Sequence, residues 1–269
     1  MIPFAKYSGC GNDFILIDNR QQTFSPADRP LIKKLCQRRL GIGADGMIFL
    51  ENGTRGGDFR MRIINADGSE AEMCGNGIRC LGKFIRQLGV PQNAFSVEVP
   101  GRLCHVQLEN GDVSVSLGPP TQVQWSLQLP LQHRCFTVDY LNTGVPHAVI
   151  FTADVNTVDL AAIGPAIRYH PKLAPAGTNV TIASLSRQRE IHLRTYERGV
   201  EGETLACGTG AAAAAIAAAR KYGLSNPIVV NTHSRETLIF NLTWHQRVVQ
   251  DVKMKGPATL VYRGEAAIA

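Results

Sequence analysis

The amino-acid sequence predicts an α/β (α+β) fold of two similar halves, each with a central helix wrapped by a β-sheet. Two observations lead to this prediction. Short motifs recur at a spacing of about half the chain. In each half, a β-prone segment, a Cys-Gly-X-Gly turn and a helical segment follow one another in the same order. A chain of 269 residues is long enough for two domains of ordinary size.

The internal repeat rests on three weak matches that share nearly one offset. The matching pairs are CGNG at 74–77 with CGTG at 207–210 (133 residues), GAD at 43–45 with GTN at 177–179 (134 residues), and Gly9 with Gly144 (135 residues). Because they occur in the same order, we predict an N-terminal half of residues 1–118 plus about 257–269, and a C-terminal half of residues 119–256. The Pro-rich segment 118–121 is the predicted linker.

Each half is expected to contain one helix that follows its cysteine turn. Predicted helices at about 77–88 and 210–222 stop at Gly89 and Gly223, where a left-handed C-cap fits. The second is almost entirely alanine, whose small side chain lets strands pack closely, so we expect it to be buried. The predicted strands are 14–18, 59–64, 97–108, 113–117, 148–151, 191–196 and a last one near 259–262. Strands 59–64 and 191–196 are expected to lead directly into the two turns.

Composition excludes several classes of protein. A net charge of +6 could suit a polyanion, but the basic residues are scattered and no nucleic-acid-binding module occurs. The densest basic group, Lys33-Lys34 with Arg38-Arg39, fits the wet face of a helix. The start of the chain does not resemble a signal peptide, and no apolar stretch approaches the length of a membrane span. The segment GIGAD at 41–45 lacks the third glycine and the following helix of a dinucleotide loop.

The seven cysteines predict reduced thiols and a cytoplasmic setting. Their number is odd and their spacing irregular, which does not suit a disulfide framework. No Cys-X-X-Cys pair or zinc-ligand spacing to histidine occurs, so we expect no metal. A cysteine among apolar residues is most often a small core residue, and we interpret five of the seven in that way. These five are Cys10, Cys36, Cys80, Cys104 and Cys135.

Cys74 and Cys207 differ because each opens a glycine-containing turn at a helix start. A helix start offers unpaired backbone N–H groups and the positive end of the helix dipole, which together bind a carboxylate. The same field favours thiolate over thiol. Inverting a tetrahedral carbon needs a base on one face and an acid on the other, and two thiols, one of them ionised, supply both. Such a site requires no pyridoxal phosphate, so we expect no cofactor.

Six motifs in this order resemble those of the diaminopimelate epimerase family, and they span nearly the whole chain. They are GCGNDF (9–14), GIGADG (41–46), NADGSEAEMCGNGIRC (65–80), NTGVPHAV (142–149), AGTNV (176–180) and YERGVEGETLACGTGA (196–211). The resemblance implies two mostly antiparallel domains with the active site in the cleft between them. It also implies interconversion of LL- and meso-2,6-diaminopimelate, in lysine and peptidoglycan precursor synthesis. The family expectation is a homodimer, and Tyr262 matches a position that is associated with dimer formation.

The resemblance assigns roles to individual residues. Cys74 and Cys207 are the acid–base pair, and His147 and Glu197 assist the thiols, with the pairing left open. The remaining positions match groups that hold the substrate. They are Asn12, Asn65, Gly75, Asn76, Asn179, Glu197, Arg198, Gly208 and Thr209. Without the resemblance, Asn12 and Asn65 are ordinary turn residues, Glu197 and Arg198 fit a surface ion pair, and His147 is an unremarkable residue of a turn.

Two departures from the family pattern bear on specificity. Val145 stands where some members carry Asn, and Gly46 where some carry Gln. Loss of polar contacts to the distal end of the substrate would broaden specificity, for example to glutamate. Proline racemase and hydroxyproline epimerase are rivals within the fold, although their first cysteine motif usually has His where this chain has Asn76. Other rivals are a non-catalytic ligand-binding homologue and a nucleic-acid-binding protein.

Overall fold

The computed structural model describes residues 1–71, 73–131 and 134–267. Glu72 of the first cysteine motif, and residues 268–269 of the predicted N-terminal half, lie outside the described residues. The chain divides into unit 1, Met1–Val115 with Gly256–Ala269, and unit 2, Ser116–Lys255. These boundaries differ by up to three residues from those that the sequence suggests.

Unit 1 contains nine strands and two α-helices among its described residues. The strands are β1 (Ile2–Gly9), β2 (Asn12–Asp18), β3 (Gly46–Asn52), β4 (Phe59–Asn65), β5 (Glu70–Ala71), β6 (Ala94–Val99), β7 (Arg102–Glu109), β8 (Asp112–Ser116) and the chain's last strand, β18 (Thr259–Ala266). The helices are α1 (Arg29–Cys36) and α2 (Gly75–Gln87). Strands β2 and β3 pair in parallel, as do β4 and β6, and the other neighbours in this unit are antiparallel.

Unit 2 is built from the same kinds of element. Its strands are β9 (Thr121–Leu131), β10 (Arg134–Asn142), β11 (Pro146–Phe151), β12 (Asn179–Leu185), β13 (Ile191–Glu197), β14 (Gly202–Thr204), β15 (Ile228–Asn231), β16 (Thr237–His245) and β17 (Val248–Gly256). Its helices are α3 (Leu160–Arg168) and α4 (Gly208–Tyr222), with short 3₁₀ helices at Val155–Thr157 and Pro171–Leu173. Strand β11 is parallel to β12, and β13 is parallel to β15.

The two units repeat one topology, strand by strand. The series β1 to β7 has the same sequence of parallel and antiparallel pairings as the series β10 to β16. The outer neighbour of β1 is β18, and the outer neighbour of β10 is β9, both antiparallel. The predicted fold class, two similar halves with mostly antiparallel sheets, is therefore confirmed.

The central helices lie where the sequence predicts them, but they begin earlier. Helix α4 is buried from Gly208 to residue 219 and ends at Gly223 with a left-handed φ of 62°. Helix α2 ends before Gly89, whose φ is 88°. Each begins two residues before its predicted start, because the turn glycines, poor helix formers, already belong to the first helical turn. No helix in the described part of the chain is long and apolar enough to cross a membrane.

Three smaller predictions were wrong. The segment predicted as strand 97–108 forms two strands, β6 and β7, with a turn at residues 100–101. The short strands β5 and β14 lie between the preceding long strand and each cysteine turn, whereas the sequence predicted a direct connection. Two or three residues are too few to show a period of two, which is why the pattern misses them. Only Lys33 and Lys34 of the basic group lie on α1, because the helix ends at Cys36 and Arg38 and Arg39 follow it.

Candidate active site

Cys74 is the N-cap residue of α2, with an extended backbone at φ −138°. It is half-buried, and its Sγ accepts a hydrogen bond from the backbone N–H of Gly77 at 3.3 Å. A sulfur that accepts an N–H at a helix start is held in the environment that favours a thiolate. The sequence predicts Cys74 at this turn, and the structure identifies the Gly77 N–H as the group that its sulfur caps.

The fourth residue of each Cys-Gly-X-Gly turn lies close to the strands beneath its helix. A Cβ on Gly77 would lie 3.0 Å from Cδ1 of Ile48 on β3. A Cβ on Gly210 would lie 2.9 Å from Oγ1 of Thr181 and 3.1 Å from Cε1 of His147. These three contacts are tight for carbon, so a side chain at either position would require its neighbours to shift, and glycine lets the first turn of each helix approach the strands closely.

The hairpin between β1 and β2 brings Asn12 to the start of α2. Its two-residue turn, Cys10-Gly11, has positive φ at both positions (53° and 88°), as in the tight turns that suit right-twisted strands. Nδ2 of Asn76 donates to Oδ1 of Asn12 at 2.7 Å. The hairpin tip thus holds two of the predicted substrate-binding amides side by side.

Charged residues flank these amides. Nδ2 of Asn12 donates to Oδ2 of Asp45 at 3.0 Å, and Asp45 also pairs with Arg38 at 2.8 Å. On the other side, Nη2 of Arg79 donates to Oδ1 of Asn76 at 2.9 Å. Arg79 is fully buried. Sequence reasoning missed both Asp45 and Arg79, although Arg79 lies three residues after Asn76 on the same helix, a spacing at which helix side chains meet.

Cys207 is the N-cap residue of α4, and only 5% of it is exposed. Its Sγ lies 3.4 Å from Oγ1 of Thr209, and that hydroxyl lies 2.9 Å from Nε2 of His147. Oγ1 of Thr143, in the turn between β10 and β11, donates to the carbonyl of Thr209 at 2.8 Å. The hairpin tip therefore contacts the helix start in unit 2, as it does in unit 1.

His147 lies on strand β11 and is fully buried, whereas the sequence analysis placed it in a turn. Burial, with a smaller contribution from the positive charge of Arg198, lowers the pKa of His147 from 6.5 to about 3. The imidazole is therefore neutral near pH 7. It cannot act as a positive charge toward a thiolate, but it can accept and donate hydrogen bonds.

The neighbours of His147 indicate which ring nitrogen carries its proton. Oδ1 of Asn179 accepts the backbone N–H of Arg198 at 2.7 Å, so its Nδ2 faces Nε2 of His147, 3.5 Å away. Since Nε2 faces a donor, it accepts, and the proton belongs on Nδ1, which lies 3.2 Å from the hydroxyl of Thr181. With Nε2 as an acceptor, the nearer Thr209 hydroxyl at 2.9 Å is its main donor and the Asn179 amide a weaker one, which leaves an oxygen lone pair of Thr209 towards Cys207.

The remaining predicted residues lie at strand ends. Glu197 closes β13 and accepts the hydroxyl of Thr204. The guanidinium of Arg198 donates to the carbonyl of Ala176 at 3.3 Å. Asn65 closes β4, and its Nδ2 donates to Oγ of Ser69 at 2.9 Å, a turn contact of the kind expected of asparagine.

The sequence is matched by a protein-family model described as diaminopimelate epimerase, over residues 4–123 and 140–261. This chain belongs to the diaminopimelate epimerase family. The diaminopimelate epimerase of Methanocella arvoryzae is 42% identical over 98% of this chain and 96% of that protein. That of Synechococcus sp. (strain JA-2-3B'a(2-13)) is 38% identical over 99% of this chain and 98% of that protein.

Solved structures share the fold at low sequence identity. A hydroxyproline epimerase from Agrobacterium vitis aligns with a TM-score of 0.74 at 14% identity, covering 98% of this chain and 91% of that one. A PhzF-family phenazine biosynthesis protein from Bacillus anthracis also has a TM-score of 0.74 at 14% identity, covering 99% of each chain. These likenesses concern the fold alone.

Hydrogen bonds and close polar contacts link some of the predicted residues of this epimerase-family chain within each unit. In unit 1, Asn76 donates to Asn12, and Asn76 lies in the first turn of the helix that Cys74 begins. In unit 2, Thr209 lies between His147 and Cys207, and Asn179 lies beside the imidazole.

Of the five cysteines interpreted as core residues, four are buried. Cys135 is exposed, so the core interpretation was wrong for it. It lies near the start of β10, where alternate side chains point to solvent.

We predict that His147 makes folding sensitive to mild acid. The pKa of 6.5 in the unfolded chain exceeds about 3 in the folded protein, so the contribution is complete above pH 6.5 and is lost as the pH falls towards 3. From pH 8 to pH 5 the free energy of unfolding should fall by about 2 kcal/mol more in the wild type than in His147→Gln. Urea unfolding at both pH values measures this, and exposed His192, replaced by Gln, is the control. Equal losses in the wild type and His147→Gln would contradict the prediction.

Proposed function

We propose that this protein interconverts LL- and meso-2,6-diaminopimelate without a cofactor, in the synthesis of lysine and of peptidoglycan precursors. Membership of the diaminopimelate epimerase family supports the substrate, a small dicarboxylic amino acid. The observation that carries the chemistry is the matched placement of Cys74 and Cys207 as N-cap residues of the two central helices.

Cys74 is proposed as the base in the direction of reaction that starts with Cys74 ionised and Cys207 protonated. Its sulfur accepts the Gly77 N–H at 3.3 Å, which favours the thiolate. The thiolate removes the α-proton from one face of the substrate carbon, which leaves the electron pair delocalised into the carboxylate as an enolate-like dianion. Cys74 becomes a neutral thiol in this step.

Cys207 is proposed as the matching acid. Its contact with Thr209, whose own hydroxyl hydrogen is directed to His147, suits a protonated sulfur that donates to the Thr209 oxygen. The thiol gives its proton to the opposite face of the carbanion, so the configuration inverts. The reverse reaction uses the same groups with their protonation states exchanged, and proton exchange with solvent restores the starting state.

The dianionic intermediate is the most difficult species for the protein to stabilise. The first-turn N–H groups at Gly75-Asn76 and Gly208-Thr209 are the proposed seats for the reacting carboxylate, since each helix start carries a partial positive charge. Such preorganised donors stabilise the charge that develops in the transition state. They supply the stabilisation that pyridoxal phosphate supplies in other racemases.

We predict that both cysteines are required for inversion. In D2O, the wild type should replace the α-hydrogen of meso-diaminopimelate, observed as loss of its proton NMR signal. Cys74→Ala and Cys207→Ala should each slow epimerisation at least 100-fold, because each removes one proton-transfer group. The exposed Cys135→Ala is the matched control and should retain full activity. Binding without any α-hydrogen exchange in the wild type would favour a non-catalytic homologue, and two active cysteine variants would exclude the two-thiol mechanism.

Broader specificity is a second candidate. Val145 supplies an apolar side chain in the turn before β11, where a polar one would contact the distal end of the substrate. At Gly46, an added Cβ would lie 2.7 Å from the backbone carbonyl oxygen of Ile64, so the chain has no room there for a larger residue. Both positions leave the distal end with fewer polar partners than the family pattern allows.

We predict detectable racemisation of L-glutamate at millimolar concentration, slower than diaminopimelate turnover. Val145→Asn should lower the ratio of glutamate to diaminopimelate activity, because a hydrogen bond to the distal end of the substrate would stabilise only the longer substrate, diaminopimelate. Val145→Thr, which keeps the branched shape, is the control. The α-hydrogen exchange assay measures both substrates. Glutamate exchange below detection beside brisk diaminopimelate turnover would rule out this second function.

The proposed mechanism requires reduced thiols, so we also propose that the protein works in a reducing compartment such as the cytoplasm.

We further propose that the protein is a homodimer. Strand β18 exposes Val261 (55%) and Tyr262 (43%), apolar surface that a second subunit would cover. Sedimentation equilibrium should therefore give twice the chain mass of 29.2 kDa. Tyr262→Glu should shift the protein towards the monomer. A single 29.2 kDa species at micromolar concentration would contradict the dimer.

A further inference from the structure

A chain of hydrogen bonds in unit 1 begins at a group that can only donate and ends at a group that can only accept. Nη2 of Arg79 donates to Oδ1 of Asn76 at 2.9 Å. Nδ2 of Asn76 donates to Oδ1 of Asn12 at 2.7 Å, and Nδ2 of Asn12 donates to Oδ2 of Asp45 at 3.0 Å. A guanidinium has no acceptor, and an ionised carboxylate has no donor.

These two ends determine the orientation of the amides between them. An asparagine amide that is turned over exchanges its oxygen and nitrogen at little cost unless its neighbours distinguish the two. Here, a reversed Asn12 would place its oxygen against the Asp45 carboxylate and its NH2 group against the NH2 group of Asn76. Both contacts would be repulsive, so only one orientation satisfies the chain.

Both ends make further hydrogen bonds, Arg79 in the core and Asp45 at a half-buried position. Arg79 is 0% exposed, and its guanidinium also donates to the carbonyls of Gly75 at 3.1 Å and Pro257 at 3.3 Å. Asp45 receives the backbone N–H of Asp13 on its Oδ2 at 3.2 Å. Its other oxygen is bound by Arg38.

We propose that Asp45 is a positioning residue that holds Asn12 as an N–H donor at the site. An amide nitrogen carries two hydrogens, and the chain uses one of those on Asn12. The second is then directed to a ligand oxygen, which suits a carboxylate of the substrate. This inference rests on the proposed function for the identity of the ligand, while the orientation of Asn12 is independent of it.

Coulomb interactions and positioning predict opposite effects of removing Asp45. A negative charge near a seat for an anion repels that anion, and its removal alone should lower KM. If Asp45 instead holds Asn12, its removal lets the amide rotate, and KM should rise. The sign of the change therefore separates the two roles.

The test measures KM for meso-diaminopimelate in Asp45→Ala, Asn12→Ala and the double variant. We expect Asp45→Ala to raise KM roughly tenfold, with kcat changed less. In the Asn12→Ala background, removal of Asp45 should have no further effect, because the residue through which it acts is absent. Asp58→Ala is the matched control, since this exposed carboxylate of unit 1 is bound by Ser96 and lies outside the chain of amides. Asp45→Asn, which keeps one oxygen, should give an intermediate KM.

A lower KM in Asp45→Ala, or a rise that persists in the Asn12→Ala background, would overturn the proposal. Side-chain amide ¹⁵N NMR tests the orientation without activity, with Asn12 assigned by its loss in Asn12→Ala. The hydrogen bonded to Asp45 should shift upfield in Asp45→Ala and stay unchanged in Asp58→Ala. If the wild type does not turn over diaminopimelate, the proposed function fails and this NMR result alone decides: an unmoved Asn12 signal overturns the positioning role, and the expected shift upholds it.

Discussion

The proposed chemistry depends on the close contact between the first turn of each central helix and the strands beneath it. That contact is close because Gly77 and Gly210 carry no side chain, since a Cβ on either would require neighbouring side chains to shift. The first turn of each helix carries the partial positive charge on which the proposed anion seats depend. The cysteine that precedes each turn is then an N-cap, and its sulfur lies in the same electrostatic field.

Although the two units repeat one topology, the polar groups around their cysteines differ in kind. In unit 1, the amides of Asn12 and Asn76 lie between a guanidinium and a carboxylate, and charge fixes their direction. In unit 2, the buried neutral His147 lies between the hydroxyls of Thr181 and Thr209 and beside the Asn179 amide, so neutral hydrogen-bonding groups orient it. A repeated backbone therefore provides two equivalent helix starts, and the side chains make them chemically unequal. A two-base inversion requires one sulfur to be ionised and the other protonated in each direction, and the different surroundings favour one of these two arrangements.

Motifs and turn chemistry predicted the parts of the structure that depend on local sequence. The Cys-Gly-X-Gly turns, the C-terminal glycines of both helices and the alanine helix are visible in the sequence because each reflects a local backbone requirement. The burial of His147 and the contact of Asp45 with Asn12 depend on strand pairing across many residues, which one sequence does not display. The contact of Arg79 with Asn76 is local, and helix spacing could have indicated it. Asp45 lies in a segment that belongs to the internal repeat and to a family motif, but neither pattern assigns a partner to its carboxylate. His147 beside a proline suggests a turn instead of the start of β11.

The neutral state of His147 has a consequence for how protons move in unit 2. A histidine that was charged near pH 7 would draw the Cys207 thiol towards thiolate, and both sulfurs would then favour the basic form. Burial, which lowers the pKa of His147 to about 3, removes that positive charge. The Thr209 hydroxyl, directed to Nε2, presents an acceptor to the sulfur and so favours the thiol. The burial of His147 in unit 2 thus supports the acid role proposed for Cys207, to which Thr209 links it.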